Sequence, residues 1–206
     1  MHKYLRLAAL IMAVGLAACG AESTEPSPVV RTGDGPPLLL GSLPIYVNVL
    51  QRSTPLPRDY TASATVGTAG GRIAIPEAGF AIDVPAGAVA APVQITVRAR
   101  AGSNVAYEFQ PHGLQFSRAP VITQELRGTA AYGSTTLRSK LEGAYAPDLL
   151  GLLGSILGIT ETRPTSVQVD TWQMRWTVEH FSAYVASSGR RSGYISSSGN
   201  LVPLGH

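Results

Sequence analysis

Apolar side chains recur at every second position in this chain, in short runs separated by glycine- and proline-rich turns. The cleanest run is Val93, Ile95, Val97 and Ala99, which alternate with Gln94, Thr96, Arg98 and Arg100. Such a segment can collect its apolar side chains on one surface only as a strand, because successive strand side chains point to opposite faces. Ile45, Val47 and Val49 begin the series. Gly70-Gly71 turns into Ile73 and Ile75, and Glu77-Ala78-Gly79 into Phe80, Ile82 and Val84. Pro85-Ala86-Gly87-Ala88 is a further turn. Tyr107 to Phe109 is closed by Pro111-His112-Gly113, and Phe116, Val121–Leu126, Val167–Val169 and Trp172–His180 continue the pattern. Short strands at regular spacing, each apolar on one side, predict an all-β fold, an antiparallel β-sandwich over residues 45–188. With only 14% charged residues, and 22 Gly and 15 Pro among 206, a disordered polyelectrolyte, a coiled coil and a long helical bundle are excluded.

The segment Leu149–Ile159 departs from this pattern. Leu149, Leu152, Leu153 and Ile156 follow helical spacing, and Asp148 is suited to cap a helix. Gly151, Gly154 and Gly158 each cost about 1 kcal/mol in a helix relative to Ala, so tertiary packing must support it. A short helical insertion near 149–159, plugging one end of the sandwich, is the expectation; an exposed apolar loop contacting a membrane or partner is the alternative. Residues 189–206 read as a Gly/Ser-rich tail. Within them Ser192–Asn200 echoes Ser182–Arg190, which leaves an added edge strand, turning at Gly189-Arg190-Arg191, as the other possibility.

The first residues read as an export signal. His2, Lys3 and Arg6 are basic, Leu7–Leu16 is apolar, and Leu16-Ala17-Ala18-Cys19 closes the segment. This ending resembles a bacterial lipobox. The Cys19 thiol would be alkylated with diacylglycerol, and cleavage after residue 18 would free its amine for another acyl chain. One acyl chain anchors marginally, whereas two or three hold firmly. Residues 1–18 are thus expected to be a lipoprotein signal peptide. Cys19 is the expected lipidation site, and residues 19–44, rich in Pro and Ser, an extended linker. The location implied is the bacterial cell envelope, and Gly20 after Cys19 leans toward the outer membrane in a cell that has one. The formal charge of +3 falls to +1 without Lys3 and Arg6, and no basic-aromatic interleaving occurs, so no nucleic-acid partner is expected.

Three segments in order resemble the ZU-five domain family: Val66-Gly67-Thr68-Ala69-Gly70-Gly71-Arg72-Ile73, Ile82-Asp83-Val84-Pro85-Ala86-Gly87-Ala88-Val89, and Tyr107–Phe116 followed by Pro120-Val121. Glu179-His180-Phe181-Ser182-Ala183-Tyr184 is similar to the family's closing strand. Together they span roughly Thr65 to Ser187 and look most like the ZU-five-like domains of bacterial surface lipoproteins. The resemblance implies a β-sandwich serving as a protein-interaction or structural module. Its glycines and prolines supply turns rather than reagents.

The resemblance also implies one chemistry. Some animal relatives cut themselves before this serine. Carried over, the Ser182 hydroxyl would attack the Phe181 carbonyl with His180 as base, which needs a strained peptide and an oxyanion donor. The alternative makes His180 a packed side chain continuing the face of Trp172, Met174, Trp176 and Val178, with Phe181 shifting parity at a bulge. Trp172 and Trp176 admit two readings as well, a sugar-stacking platform or core aromatics. One Cys and four His exclude a Cys/His zinc framework, and neither a calcium loop, a phosphate loop nor a hydrolase motif is present. No cofactor or metal is expected. The sequence therefore leads to a lipid-anchored envelope protein carrying a non-enzymatic module that meets an envelope protein or glycan, with self-cleavage at Phe181–Ser182 and carbohydrate binding as alternatives.

Overall fold

The computed structural model describes residues 45–152, 154–191, 193–196 and 200–203. The expected signal peptide, Cys19 and the linker to residue 44 lie outside the described residues. In chain order the strands are β1 (Ile45–Val49), β2 (Gln51–Leu56), β3 (Tyr60–Val66), β4 (Gly71–Ile75), β5 (Phe80–Val84), β6 (Val93–Ala99), β7 (Gly102–Asn104), β8 (Ala106–Gln110) and β9 (Val121–Glu125). A single-turn helix, α1 (Thr135–Arg138), precedes β10 (Glu142–Ala146), β11 (Ile156–Ile159), β12 (Glu161–Arg163), β13 (Thr165–Gln168) and β14 (Gln173–Thr177). The chain then forms β15 (Ala183–Arg191), β16 (Gly193–Ile195) and β17 (Leu201–Pro203).

Two antiparallel sheets face each other, as the alternation predicted. One runs β11-β1-β15-β8-β6-β3, with β10 joined to β15 and β12 to β10. The other runs β13-β14-β9-β5-β4. Between them Ile95, Val97, Tyr107, Phe109 and Tyr184 from the first sheet meet Ile73, Phe80, Ile82, Ile122, Met174 and Trp176 from the second in one buried cluster. The alternating residues of β6 obey the pattern closely: Ile95, Val97 and Ala99 are fully buried, while Arg98 is exposed. Removing such side chains from water is worth about 1.5–3 kcal/mol each.

The larger sheet is buried on its reverse side too. Val47, Val49, Ala106, Ala144, Ala146, Leu157, Ile159 and Val185 form a second apolar cluster, with Leu149 and Leu152 packed against it. This is where the segment 149–159 goes, and it corrects the expected helix. Leu149–Gly151 is a turn, held where the Leu150 N–H donates to Asp148 Oδ1 at 2.8 Å, and Leu152 N–H bonds the Leu149 carbonyl at 3.1 Å. Gly154 adopts φ +60, and Ile156–Ile159 then pairs with Asn48–Ile45 as an edge strand. The three glycines tax a helix, whereas the strand buries Leu157 and Ile159 at period two and lets Gly158 pass close to the Tyr46 ring. Helical geometry occurs instead in α1, where Ser134 Oγ accepts from Leu137 N–H at 3.2 Å. The expected tail boundary also moves: β15 continues through Gly189, Arg190 and Arg191 rather than turning there, and Gly193–Ile195 pairs with Leu201–Pro203.

One polar group lies deep in the main core. The Tyr107 hydroxyl donates to Gln124 Oε1 and stands 3.4 Å from an Arg52 nitrogen, and Gln124 Nε2 donates to the Ala78 carbonyl at 3.1 Å. Burial pushes the Tyr107 phenol up to about 12, with Arg52 pulling the other way. The folded chain thus favours the neutral phenol more strongly than the unfolded chain, whose value is near 10. That stabilisation is fully present below about pH 10 and is lost as the pH rises toward 12, by roughly 3 kcal/mol. Tyr107→Phe should flatten the fall in urea-unfolding stability between pH 9 and 12; an equally steep fall would contradict this origin.

The turn before β4 makes a second demand. Gly70 has φ +80, and a Cβ there would lie 2.3 Å from the Val84 carbonyl oxygen. Gly70→Ala is therefore expected to destabilise by more than about 1 kcal/mol in chemical denaturation, through both strain and collision.

Candidate functional site

The residues singled out for chemistry come together at the corner where β14 hands the chain to β15. Phe181 is fully buried, stacked on Phe109 at 4.8 Å between centroids and edge-on to Phe116 at 4.8 Å. Its backbone is held on both sides. Phe181 N–H donates to the Leu114 carbonyl at 2.9 Å, Gly113 N–H donates to the Phe181 carbonyl at 2.7 Å, and Phe109 N–H donates to the Ser182 carbonyl at 2.8 Å. Gln115 and His180 form an isolated bridge beside it. The parity shift expected at Phe181 is thus real: Val178 and Phe181 both enter the core, three residues apart.

His180 and Ser182 are neighbours in sequence with separate partners. The His180 ring stands edge-on to Tyr145 at 4.5 Å, and its Nε2 is 3.7 Å from Glu161 Oε2. Ser182 Oγ accepts from the Tyr145 hydroxyl at 3.3 Å. The Tyr184 hydroxyl donates to the His180 carbonyl at 3.0 Å, and burial raises its pKa well above the ordinary tyrosine value. Arg163 bridges Glu161 and Glu179, the latter at 3.1 Å, with its side chain only 12% exposed. The carboxylates answer the arginine and face the imidazole, so this is a mutually paired polar cap over the Phe181 stack. Tyr145, Glu161 and Arg163 were not singled out from the sequence; they arrive on β10 and β12, and no local motif marks them.

The two tryptophans part company. Trp176 lies on β14 with Met174 and is buried, its ring pressed over Gly143, where a Cβ would fall 2.5 Å from the indole. Trp172 sits in the turn before β14 with φ +54, a conformation a bulky side chain rarely adopts. It meets Tyr132 edge-on at 4.7 Å, and the Arg138 guanidinium lies 5.2 Å from its ring centre. A shared Trp172–Trp176 platform is therefore not formed. His112 is exposed.

Among the described residues, an open groove of about 440 Å³ beside β13 and β14 is lined by Val121, Pro164, Ser166, Arg175, Trp176 and Thr177. Among the described residues no cluster of three or more His, Cys, Asp or Glu side chains suited to a metal occurs.

Phe181→Ala is expected to remove about 3–5 kcal/mol of unfolding free energy, the usual cost of emptying a buried aromatic site. Ser182→Ala should cost less than about 1.5 kcal/mol, since it deletes one side-chain hydrogen bond. Equal losses in urea titrations would overturn this ranking.

Against known families, residues 62–129 match the ZU5 domain. The matched stretch runs from within β3 to the turn after β9, and includes the Gly70-Gly71 turn and the Pro111–Phe116 segment. It ends well before Glu179–Tyr184. No curated protein matches the chain.

Proposed function

With a ZU5 match seated in a two-layer β-sandwich as premise, we propose that this protein is a non-enzymatic protein-interaction module displayed on a bacterial cell envelope through a lipidated Cys19. The carrying observation is the ZU5 match over residues 62–129, because ZU5 domains are protein-interaction modules. The corner that resembles a self-cleaving site supports the non-enzymatic side of this reading. A serine activated for attack needs its base within hydrogen-bond reach, and Ser182 Oγ instead accepts from Tyr145 while His180 faces Glu161. The anchor rests on sequence: Lys3 and Arg6, the apolar run Leu7–Leu16, and a single Cys placed after Leu16-Ala17-Ala18. The linker to residue 44 would hold the sandwich clear of the bilayer.

Growth with a fatty-acid analogue should label the wild-type protein and leave Cys19→Ala unlabelled. The labelled chain should run as one species, unbroken between Phe181 and Ser182. An unlabelled wild type would refute the anchor, and a break between Phe181 and Ser182 in the intact mass would refute the non-enzymatic reading. Crosslinking on intact cells, followed by mass spectrometry, then identifies what the sandwich touches.

A further inference from the structure

Arg175 stands apart from every other arginine among the described residues. Arg52 bonds the Asn104 carbonyl, and Arg118 the Ala86 carbonyl. Arg72, Arg98, Arg100, Arg127, Arg163 and Arg190 have carboxylate partners. Arg58 and Arg138 lie over aromatic rings, and Arg191 bonds Asn48. Arg175 has neither a hydrogen bond, an ion pair nor a ring; its Nε is buried without an acceptor, as are those of Arg52 and Arg163, but those two have partners at their terminal nitrogens. A covered N–H left unanswered is costly, and more so on a charged group.

Its surroundings explain why nothing on this chain answers it. In the sheet register Ser166, Arg175, Thr123, Ala81 and Ala74 lie opposite one another, one per strand, and so share the outer face. None of the four neighbours carries a charge. Two acids that the register puts on this face are engaged, Asp83 with Arg72 at 2.7 Å and Glu125 with Arg127 at 3.3 Å. The row opens into the groove between Pro164–Ser166 and Arg175–Thr177. The strand bounding that groove, β13, pairs only with β14. Its outer edge is unpaired among the described residues, which is a template for another strand.

We propose that this groove binds an extended acidic segment of a partner protein, added along the free edge of β13 with one carboxylate side chain in the Ser166–Arg175 row. An added strand would lie about 10 Å from β14, two strand spacings away. Glutamate and arginine side chains reaching along one row span that gap between them. The carboxylate would accept from the two terminal nitrogens of Arg175, the paired geometry that guanidinium favours. Pro164 offers no backbone donor, so pairing begins at Thr165. The Ser166 and Thr177 hydroxyls flank the carboxylate. This assignment rests on the interaction-module reading and names the chemistry of its partner.

The test titrates the full-length chain in detergent with two fluorescent, end-capped five-residue peptides of alternating threonine and valine. One carries a central glutamate and the other a central glutamine. The glutamate peptide should bind saturably in anisotropy, about tenfold more tightly than the glutamine peptide. Arg175→Gln should abolish that preference. In the ¹⁵N-labelled wild type the Arg175 Nε–H resonance should move on titration, a readout independent of how the variant folds. Absent binding, equal affinity for the two peptides, or a resonance moved as strongly by inorganic phosphate alone would overturn the assignment. If the peptides fail while crosslinking on cells captures the same protein with wild type and Arg175→Gln, the groove is refuted and the module reading stands. If the glutamate peptide binds as expected while cells yield no crosslinked protein, the module reading fails by itself.

Discussion

The strand Ala183–Arg191 is the member on which the rest of the structure leans. Its first five residues are buried without exception, and it is hydrogen-bonded on both edges, to β8 along one and to β10 along the other, before Ser187 passes it to β1. A strand covered on both faces must be apolar at consecutive positions rather than alternate ones, and Ala183-Tyr184-Val185-Ala186 is so written. Tyr184 turns into the sandwich core and Val185 into the second cluster. Val185 joins that second cluster from β15, and Ala106 joins it from β8, whose Tyr107 and Phe109 face the sandwich core. β11 and the turn at Leu149–Leu152 are the lid over the second cluster. Leu150, 91% exposed at the tip of that turn, is the part of the lid with nothing to cover.

Polar groups are handled in opposite ways inside and outside the sandwich. Within it, Tyr107, Gln124 and Arg52 form a small connected set whose oxygens have donors. At the β14–β15 corner, Arg163 pairs through its terminal nitrogens with Glu161 and Glu179, and Glu161 faces His180, above the Phe181 stack. On the outer face of the five-stranded sheet, Arg175 is the arginine among the described residues with no partner at any nitrogen. Networks closed within a chain rigidify it. A cation held in place and left open is suited to what comes from outside.

Reading the residues in order located the strands well, because period-two alternation is set by backbone geometry and needs no partner to be recognised. Val93–Ala99 and Phe80–Val84 fold as written, and the turn at Gly70-Gly71 needs the positive φ that only glycine adopts freely. The reading failed where two periods fit the same letters. Leu149–Ile159 satisfies helical spacing through Leu149, Leu152, Leu153 and Ile156, and strand spacing through Leu157 and Ile159. The edge offered by β1 decided between them. Trp172 and Trp176 failed for a related cause: four residues apart on one uninterrupted strand they would share a face, but β14 begins at Gln173, and the turn rotates Trp172 away to Tyr132.

The candidate sites divide along the same line. The proposed anchor at Cys19 is argued from residue order alone, since resemblance to a lipobox rests on adjacent residues and on no folded partner. His180 and Ser182 could be named from their order, but their partners Tyr145, Glu161 and Arg163 come from strands that only the sheet brings alongside. Arg175 is invisible in the sequence: it is one arginine between Met174 and Trp176, and alternation says only that it points outward. What the chain determined by itself was the alternation, the turns and the all-β class, because these depend on each residue's own backbone preference and its immediate neighbours. What only the tertiary structure decided was which side chains meet across strands, and therefore which charges are answered, since that depends on a register linking residues tens of positions apart.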